Sequence, residues 1–155
     1  MNAPIDPSEF SCLRSYTAGQ VIFNEGEVGD CAFVVCEGSV EIFKGGRQRA
    51  LRLATCEAGG IFGEMALVDD APRSASARAL TPASCLVLPK ERFRHLFEEA
   101  DPFARALLRI LVANVRETSD TMVLFHRALS DLRHELNLPP ADARSLAAPA
   151  PDCPL

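Results

Sequence analysis

Residues 62–79 read FGEMALVDDAPRSASARA. Glu64 stands at the start of a short apolar run, Arg73 opens a run of small residues, and the turn-rich Asp69-Asp70-Ala71-Pro72 separates them. Closely spaced glycines (Gly59, Gly60, Gly63) lead into a short helical segment at Glu64-Met65-Ala66-Leu67. Backbone N–H groups at such a helix start attract anions. Arg73 and Ser74, across the turn, add a forked guanidinium and a hydroxyl to the same anion. A carboxylate beside an anion site makes sense if the ligand also carries a hydroxyl that Glu64 can accept from. Phosphate and sugar hydroxyl on one small molecule describe a nucleotide. The small residues Ser74, Ala75, Ser76 and Ala77 are then expected to leave room for it against the strand. A plainer reading of the same residues is a structural ion pair between Glu64 and Arg73, with Ser74 merely starting a strand.

The flanking sequence sets that stretch in a β-rich domain. From residue 10 to about 90, short β-branched and aromatic runs are cut by glycine, asparagine and aspartate, and Gly45-Gly46 suits a hairpin turn before ALRLATC. Many short strands at close intervals predict an antiparallel β-sandwich or jelly roll. After residue 90 the rhythm becomes helical. PKERFRHLFEEA forms a short helix with Phe93, Leu96 and Phe97 on one face. Asp101-Pro102 then supplies an N-cap and a first-turn proline, and neither Gly nor Pro recurs before Pro139. A helix of roughly 34 residues, about 50 Å, is permitted.

Along that helix Leu111, Val115, Thr118, Met122, Phe125, Leu129, Leu132 and Leu136 alternate spacings of four and three. This 3.5-residue repeat predicts a coiled-coil seam and a parallel homodimer through residues 111–136. The first turns, around Phe103, Leu107 and Leu108, are expected to pack on the domain's own sheet. The expected organisation is an N-terminal segment (1–9), a folded domain (10–136, with β-roll about 12–89 and closing helices about 90–136), and a Pro/Ala-rich disordered tail (137–155).

Composition narrows the function classes. Apolar residues make up 48% of 155, enough for a core, and no run reaches the roughly 18 apolar residues of a membrane span. The N-terminus lacks the basic and apolar regions of a secretory signal, so a cytoplasmic address is expected. A net charge of −5 argues against a nucleic-acid surface; Arg47, Arg49 and Arg52 read as a solvated hairpin face. The six cysteines (Cys12, Cys31, Cys36, Cys56, Cys85, Cys153) lack CxxC spacing and are expected to be reduced, most of them as small core residues. All three histidines (His95, His126, His134) fall in the helical part, so a metal-dependent jelly-roll enzyme is not expected, and no catalytic residue or metal ligand is assigned.

FGEMALVDDAPRSASARA resembles the phosphate-binding cassette of cyclic nucleotide-binding domains, as found in catabolite activator-like proteins and in cAMP-dependent kinase regulatory subunits. EGEVGDCAFVVCEGSVEIF resembles that family's glycine-punctuated hairpin, with Gly26, Gly29, Asp30 and Gly38 at matching positions, and TPASCLVLPKERFRHLFEEADPFARALLRIL resembles its last strand and closing helices. The likeness spans roughly residues 12–120. It implies a double-stranded β-helix flanked by α-helices, and it assigns Arg73 to the exocyclic phosphate oxygens, Ser74 to the same phosphate and Glu64 to the ribose 2′-hydroxyl. Gly63, Met65 and Ala66 would supply backbone, with Ala75 also beside the ligand. Thr118 and Ser119 would touch the base, with Arg116 a rival lid residue and a register-setting role the alternative for Thr118. The implied ligand is cAMP, favoured over cGMP, although Ser74 does not decide between them.

Few residues follow Leu136, so no helix-turn-helix module is expected, and the chain reads as an isolated sensor or a piece of something longer. A cyclic-nucleotide sensor is expected to move its long helix about a hinge near residues 98–103 and to signal through an unidentified protein partner. The alternatives are a degenerate dimerisation module that binds no cyclic nucleotide or another effector, and the effector domain of a transcription regulator without its DNA-binding part.

Overall fold

The computed structural model describes residues 12–46 and 50–137. The N-terminal segment 1–9, Arg47, Arg49, Cys153 and all of the tail except Asn137 lie outside the described residues.

Among the described residues eight strands form two antiparallel four-stranded sheets that close as a jelly roll. One sheet has the order β1 (Cys12–Tyr16), β8 (Ala83–Pro89), β3 (Cys31–Glu37), β6 (Ile61–Phe62). The other has the order β2 (Val21–Phe23), β7 (Ser76–Ala79), β4 (Val40–Lys44), β5 (Leu51–Cys56). Helix α1 (Met65–Val68) interrupts the strands between β6 and β7, and α2 (Lys90–Glu99) and α3 (Pro102–Glu135) follow them.

The run CAFVV of β3 is apolar without alternation because both of its faces are covered. Phe33 and Val35 point into the sandwich, while Ala32 joins Leu67 of α1, Leu88 of β8 and Phe93 of α2 in a smaller cluster outside it. Phe23, Phe33 and Phe62 stack on one another inside the roll, with ring centroids 5.0–6.0 Å apart. Ala77 and Ala79 of β7 lie fully buried in that same cluster. The bareness of SASARA is therefore chiefly a packing device: two methyl-sized residues on a central strand make space for the phenylalanines. The expectation that this run leaves room for ligand holds only for its first members, Ser74 and Ala75, which line the cavity described below.

Glu41 on β4 is buried and holds three strands together. Arg52 Nε of β5 donates to it at 2.7 Å, and Arg78 of β7 grips its other oxygen. Burial alone raises its carboxyl pKa, but hydrogen bonds from Arg78 and Arg52 outweigh that and hold it below the ordinary value. The resulting stabilisation is present above the unfolded pKa and lost as pH falls through the lowered one.

Asp101 caps α3 as its sequence suggests, accepting from the Phe103 and Ala104 amides at 2.9 and 3.2 Å, with Pro102 in the first turn. Only Val112 and Val123 of this helix are buried. Every member of the 111–136 seam is exposed. Phe103, Leu107 and Leu108 are exposed too, contrary to expectation, because α3 meets the body of the roll further along, from Val112 onward. Among the described cysteines Cys31 and Cys85 are core residues and Cys56 is half-buried, whereas Cys12 and Cys36 are exposed and so depart from the expected pattern. Among the described residues no helix is long and apolar enough to cross a membrane.

Gly38, in the β3–β4 turn, has φ +78°, and a Cβ there would sit 2.2 Å from the Pro82 carbonyl oxygen and 2.8 Å from Ala83 Cα. Both are backbone atoms, one in the β7–β8 turn and one at the start of β8, and backbone cannot yield as a side chain can. A left-handed residue other than glycine costs about 1–2 kcal/mol before any clash. Gly38→Ala is thus expected to lose about 2 kcal/mol or more of stability, read as a lower urea midpoint; an unchanged midpoint would show that this turn is not fixed as described.

Candidate functional site

Between β6 and β7 the chain makes an open wall. Gly63 has φ +78°, and its missing Cβ matters: one built there would lie 2.7 Å from Arg73 Nη1. The Gly63 carbonyl instead accepts from Arg73 Nη1 at 2.6 Å, and the Cys31 carbonyl accepts from Nη2 at 2.7 Å. Arg73 is 5% exposed, its guanidinium lies 4.1 Å over the Phe23 ring, and its Nε has no partner. Among the described residues the one carboxylate oxygen within 4 Å is that of Asp30, at 3.9 Å, on a side chain that is itself largely in water. A cation has thus been withdrawn from solvent and left with neutral acceptors for its closest company.

Glu64 sits at the N-cap position of α1 but makes no side-chain cap bond. Burial raises its carboxyl pKa above the usual value; its own amide and the positive charge of Arg73 lower it by less. The Glu64–Arg73 ion pair does not form, since no Glu64 oxygen lies within 4 Å of that guanidinium. A raised carboxyl means that the folded chain holds its proton more tightly than the unfolded chain does. Its stabilising share is complete below the unfolded pKa and is lost as pH rises through the raised one. Among the described residues Glu64 is thus a desolvated carboxyl whose hydrogen-bond donor is its own amide, and it borders a cavity from which a ligand could supply another.

Both residues border a cavity of about 300 Å³. Its cassette wall is Gly63, Glu64, Met65, Ala66, Arg73, Ser74 and Ala75. The Ser74 hydroxyl there makes a weak contact with Met65 Sδ at 3.6 Å. As first residues of a helix, Met65 and Ala66 have no intrahelical partner for their amides. A second wall comes from β4 and β5 (Ile42, Leu53, Ala54, Cys56), and α3 closes the cavity with Val115, Ser119 and Met122.

The structure therefore gathers all the cassette residues singled out from the sequence, together with Ser119. It does not gather Arg116 or Thr118. Thr118 is exposed and its hydroxyl returns to the Asn114 carbonyl at 2.8 Å. Arg116 turns away from the cavity and grips Asp69, with Nε to Oδ2 at 2.5 Å and Nη2 to Oδ1 at 3.0 Å. Sequence reasoning missed Val115 and Met122, which it took only for dimer seam, although 115, 119 and 122 share one helix face. It also missed Leu53 and Ala54, apolar residues of β5 with no chemistry of their own to mark them.

Comparison with known proteins agrees with this geometry. The family model described as cyclic nucleotide-binding domain matches residues 13–100, more than half of the chain. The chain is 36% identical over 107 residues to the cyclic AMP receptor protein of Thermus thermophilus, covering 67% of this chain and 49% of that one. It is 34% identical over 92 residues to a cAMP-dependent protein kinase regulatory subunit of Pyricularia oryzae, covering 59% and 23%. It thus spans about half or less of these relatives' own length. Among solved structures, the cAMP-bound form of the EAL enzyme Bd1971 superposes with a TM-score of 0.68 at 31% identity, covering 80% of this chain and 33% of that one. A buried arginine and a desolvated glutamate facing one cavity inside a jelly roll, and a family match across the strands that hold them, place this chain in the cyclic nucleotide-binding domain family.

Proposed function

We propose that this domain is a sensor for a cyclic nucleotide, with cAMP preferred over cGMP, and that it reports occupancy through α3. The observation that carries the reading is a pair of underserved groups on the cavity wall: a buried Arg73 whose nearest carboxylate among the described residues is 3.9 Å away, and a desolvated Glu64 served by its own amide. A cyclic phosphate at Arg73 and Ser74 and a ribose hydroxyl at Glu64 answer both at once. The base then lies toward Leu53, Val115 and Met122, a mainly apolar surface suited to a flat ring.

Ser119 supports the choice of base. Its hydroxyl proton is committed to the Val115 carbonyl at 2.7 Å, so its oxygen faces the cavity chiefly as an acceptor. Adenine offers an exocyclic amine at that edge, whereas guanine offers a carbonyl oxygen, acceptor against acceptor. The exposed 111–136 seam supports a parallel homodimer as the form that reads out α3, with an unidentified protein partner downstream.

Micromolar affinity corresponds to about 8 kcal/mol, and stripping the cation from a buried pair typically costs about 3–5 kcal/mol. Calorimetry is expected to show cAMP binding more tightly than cGMP in the wild type, and a loss of about a hundredfold or more in Arg73→Ala. Unchanged affinity in a folded Arg73→Ala protein would overturn the phosphate assignment.

The pH dependence has a definite sign. The ligand hydroxyl donates to ionised Glu64, so affinity is full above the raised carboxyl pKa and falls as pH drops through it. The decline is expected to begin at higher pH than an ordinary carboxylate allows and to vanish in Glu64→Gln. A wild-type profile flat down to pH 4.5, the group's ordinary value, would remove Glu64 from the site.

For the seam, sedimentation equilibrium is expected to show a dimer that Leu129→Glu with Leu132→Glu converts to monomer. A monomeric wild type at tens of micromolar would end that part of the reading.

A further inference from the structure

The acidic pair Asp69-Asp70 closes α1 and takes no direct part in the cavity. Its contacts nevertheless reach both closing helices. Asp69, the C-cap of α1, holds the guanidinium of Arg116 by two parallel hydrogen bonds, and Asp69 Oδ1 also accepts from the Ala71 amide at 3.2 Å. Both side chains of this pair are about four-fifths covered. Asp70, with φ 53°, faces the other way. Lys90 Nζ on α2 approaches its carboxylate at 2.7 Å, and Arg94 of the same helix stands 3.8 Å away. One turn beyond Arg116, Asp120 pairs with Lys44 at the end of β4. Arg116 and Asp120 thus bracket Ser119 on the helix, between Val115 and Met122.

The packing explains why such pairs are needed. A cavity lies beneath the middle of α3, and only Val112 and Val123 along its length are buried, so apolar contact fixes neither the height nor the rotation of the helix there. A bidentate arginine–carboxylate pair has a defined plane and direction. Asp69 is itself tied into its turn, so the plane it imposes is that of the cassette.

We propose that Arg116 and Asp69 are positioning residues for the ligand cavity: their pairing sets α3 over the cassette and so fixes the wall of Val115, Ser119 and Met122. Asp70, held by Lys90 and Arg94, keeps the turn itself from yielding. The proposal rests on the cyclic-nucleotide reading of that cavity. Arg116 acts through the helix it carries and not by touching the ligand, which accounts for its place outside the lining.

Two readouts on the full chain test it: dissociation of a fluorescent cAMP analogue chased by excess cAMP, and hydrogen–deuterium exchange of segments 64–70 and 112–123. Arg116→Ala and Asp69→Asn are each expected to speed dissociation about tenfold and to raise exchange in both segments together. The double variant should be no worse than either single one, and Arg116→Lys should recover part of the loss. Additive effects, unchanged dissociation, or exchange rising only in the segment that carries the substitution would overturn the pairing as a positioning device. If the wild type takes up neither cAMP nor cGMP, the functional reading falls by itself, and the coupled or uncoupled exchange of the two segments still decides for or against the clasp.

Discussion

The structure depends on one cation taken out of water. Arg73 uses its backbone to bond the β2–β3 turn, donating to the Glu27 carbonyl and accepting from the Gly26 amide, and its guanidinium to bond Gly63 and Cys31. Three separate segments therefore converge on one residue, whose side chain lies over the Phe23 ring. Burying a guanidinium costs several kcal/mol unless acceptors meet it, and the acceptors here are neutral carbonyls with a distant, solvated Asp30. This arrangement is tolerable as a resting state and better suited to a state with an anion present.

The rest of the fold makes that placement possible. Phe23 and Phe33 lie beneath the guanidinium with Phe62 stacked on both, and Ala77 and Ala79 give up volume so that the three rings fit between the sheets. β3 is buried on both faces, so one strand anchors the sandwich inside and the α1–α2 cluster outside. The buried Glu41, shared by Arg52 and Arg78, ties β7 to the β4 and β5 strands that form the cavity's second wall.

What the sequence made legible follows from how local each signal is. The β-rich half, the hairpin at Gly45-Gly46 and the capped 34-residue helix rest on neighbouring residues, and the strands and helices lie where those residues put them. The cassette was legible because Glu64, Arg73 and Ser74 sit within a dozen positions of one another. The far wall was not. Leu53 and Ala54 carry no chemistry that marks them, and Val115 and Met122 fit a dimer seam as well as a cavity. Arg116 was misplaced for a related reason: its partner, Asp69, lies 47 positions away, and nothing local distinguishes a guanidinium bound for a ligand from one bound for a carboxylate. Phe103, Leu107 and Leu108 show the same limit, since an apolar helical face declares that it can be covered and not by what.

A ligand can shift a conformational equilibrium only by its differential affinity for the two states, so the proposed switch must begin where occupancy changes a contact. Arg73 is the place, because its two Nη groups already serve carbonyls and its Nε is shut away from solvent. The guanidinium has five N–H donors and the two carbonyls take two of them, so a phosphate arriving at the cavity wall can use a free donor or draw one from the Gly63 carbonyl. The Gly63 carbonyl is the acceptor at the cavity wall, and a charged acceptor makes a hydrogen bond roughly twice as strong as a neutral one, so in the proposed switch the phosphate draws the guanidinium away from it. Gly63 leads directly into α1, a helix of four residues and about 6 Å. At its other end Asp69 holds Arg116. In the proposed switch, a shift at Gly63 passes along this short helix, and the pair at its far end hands it to α3.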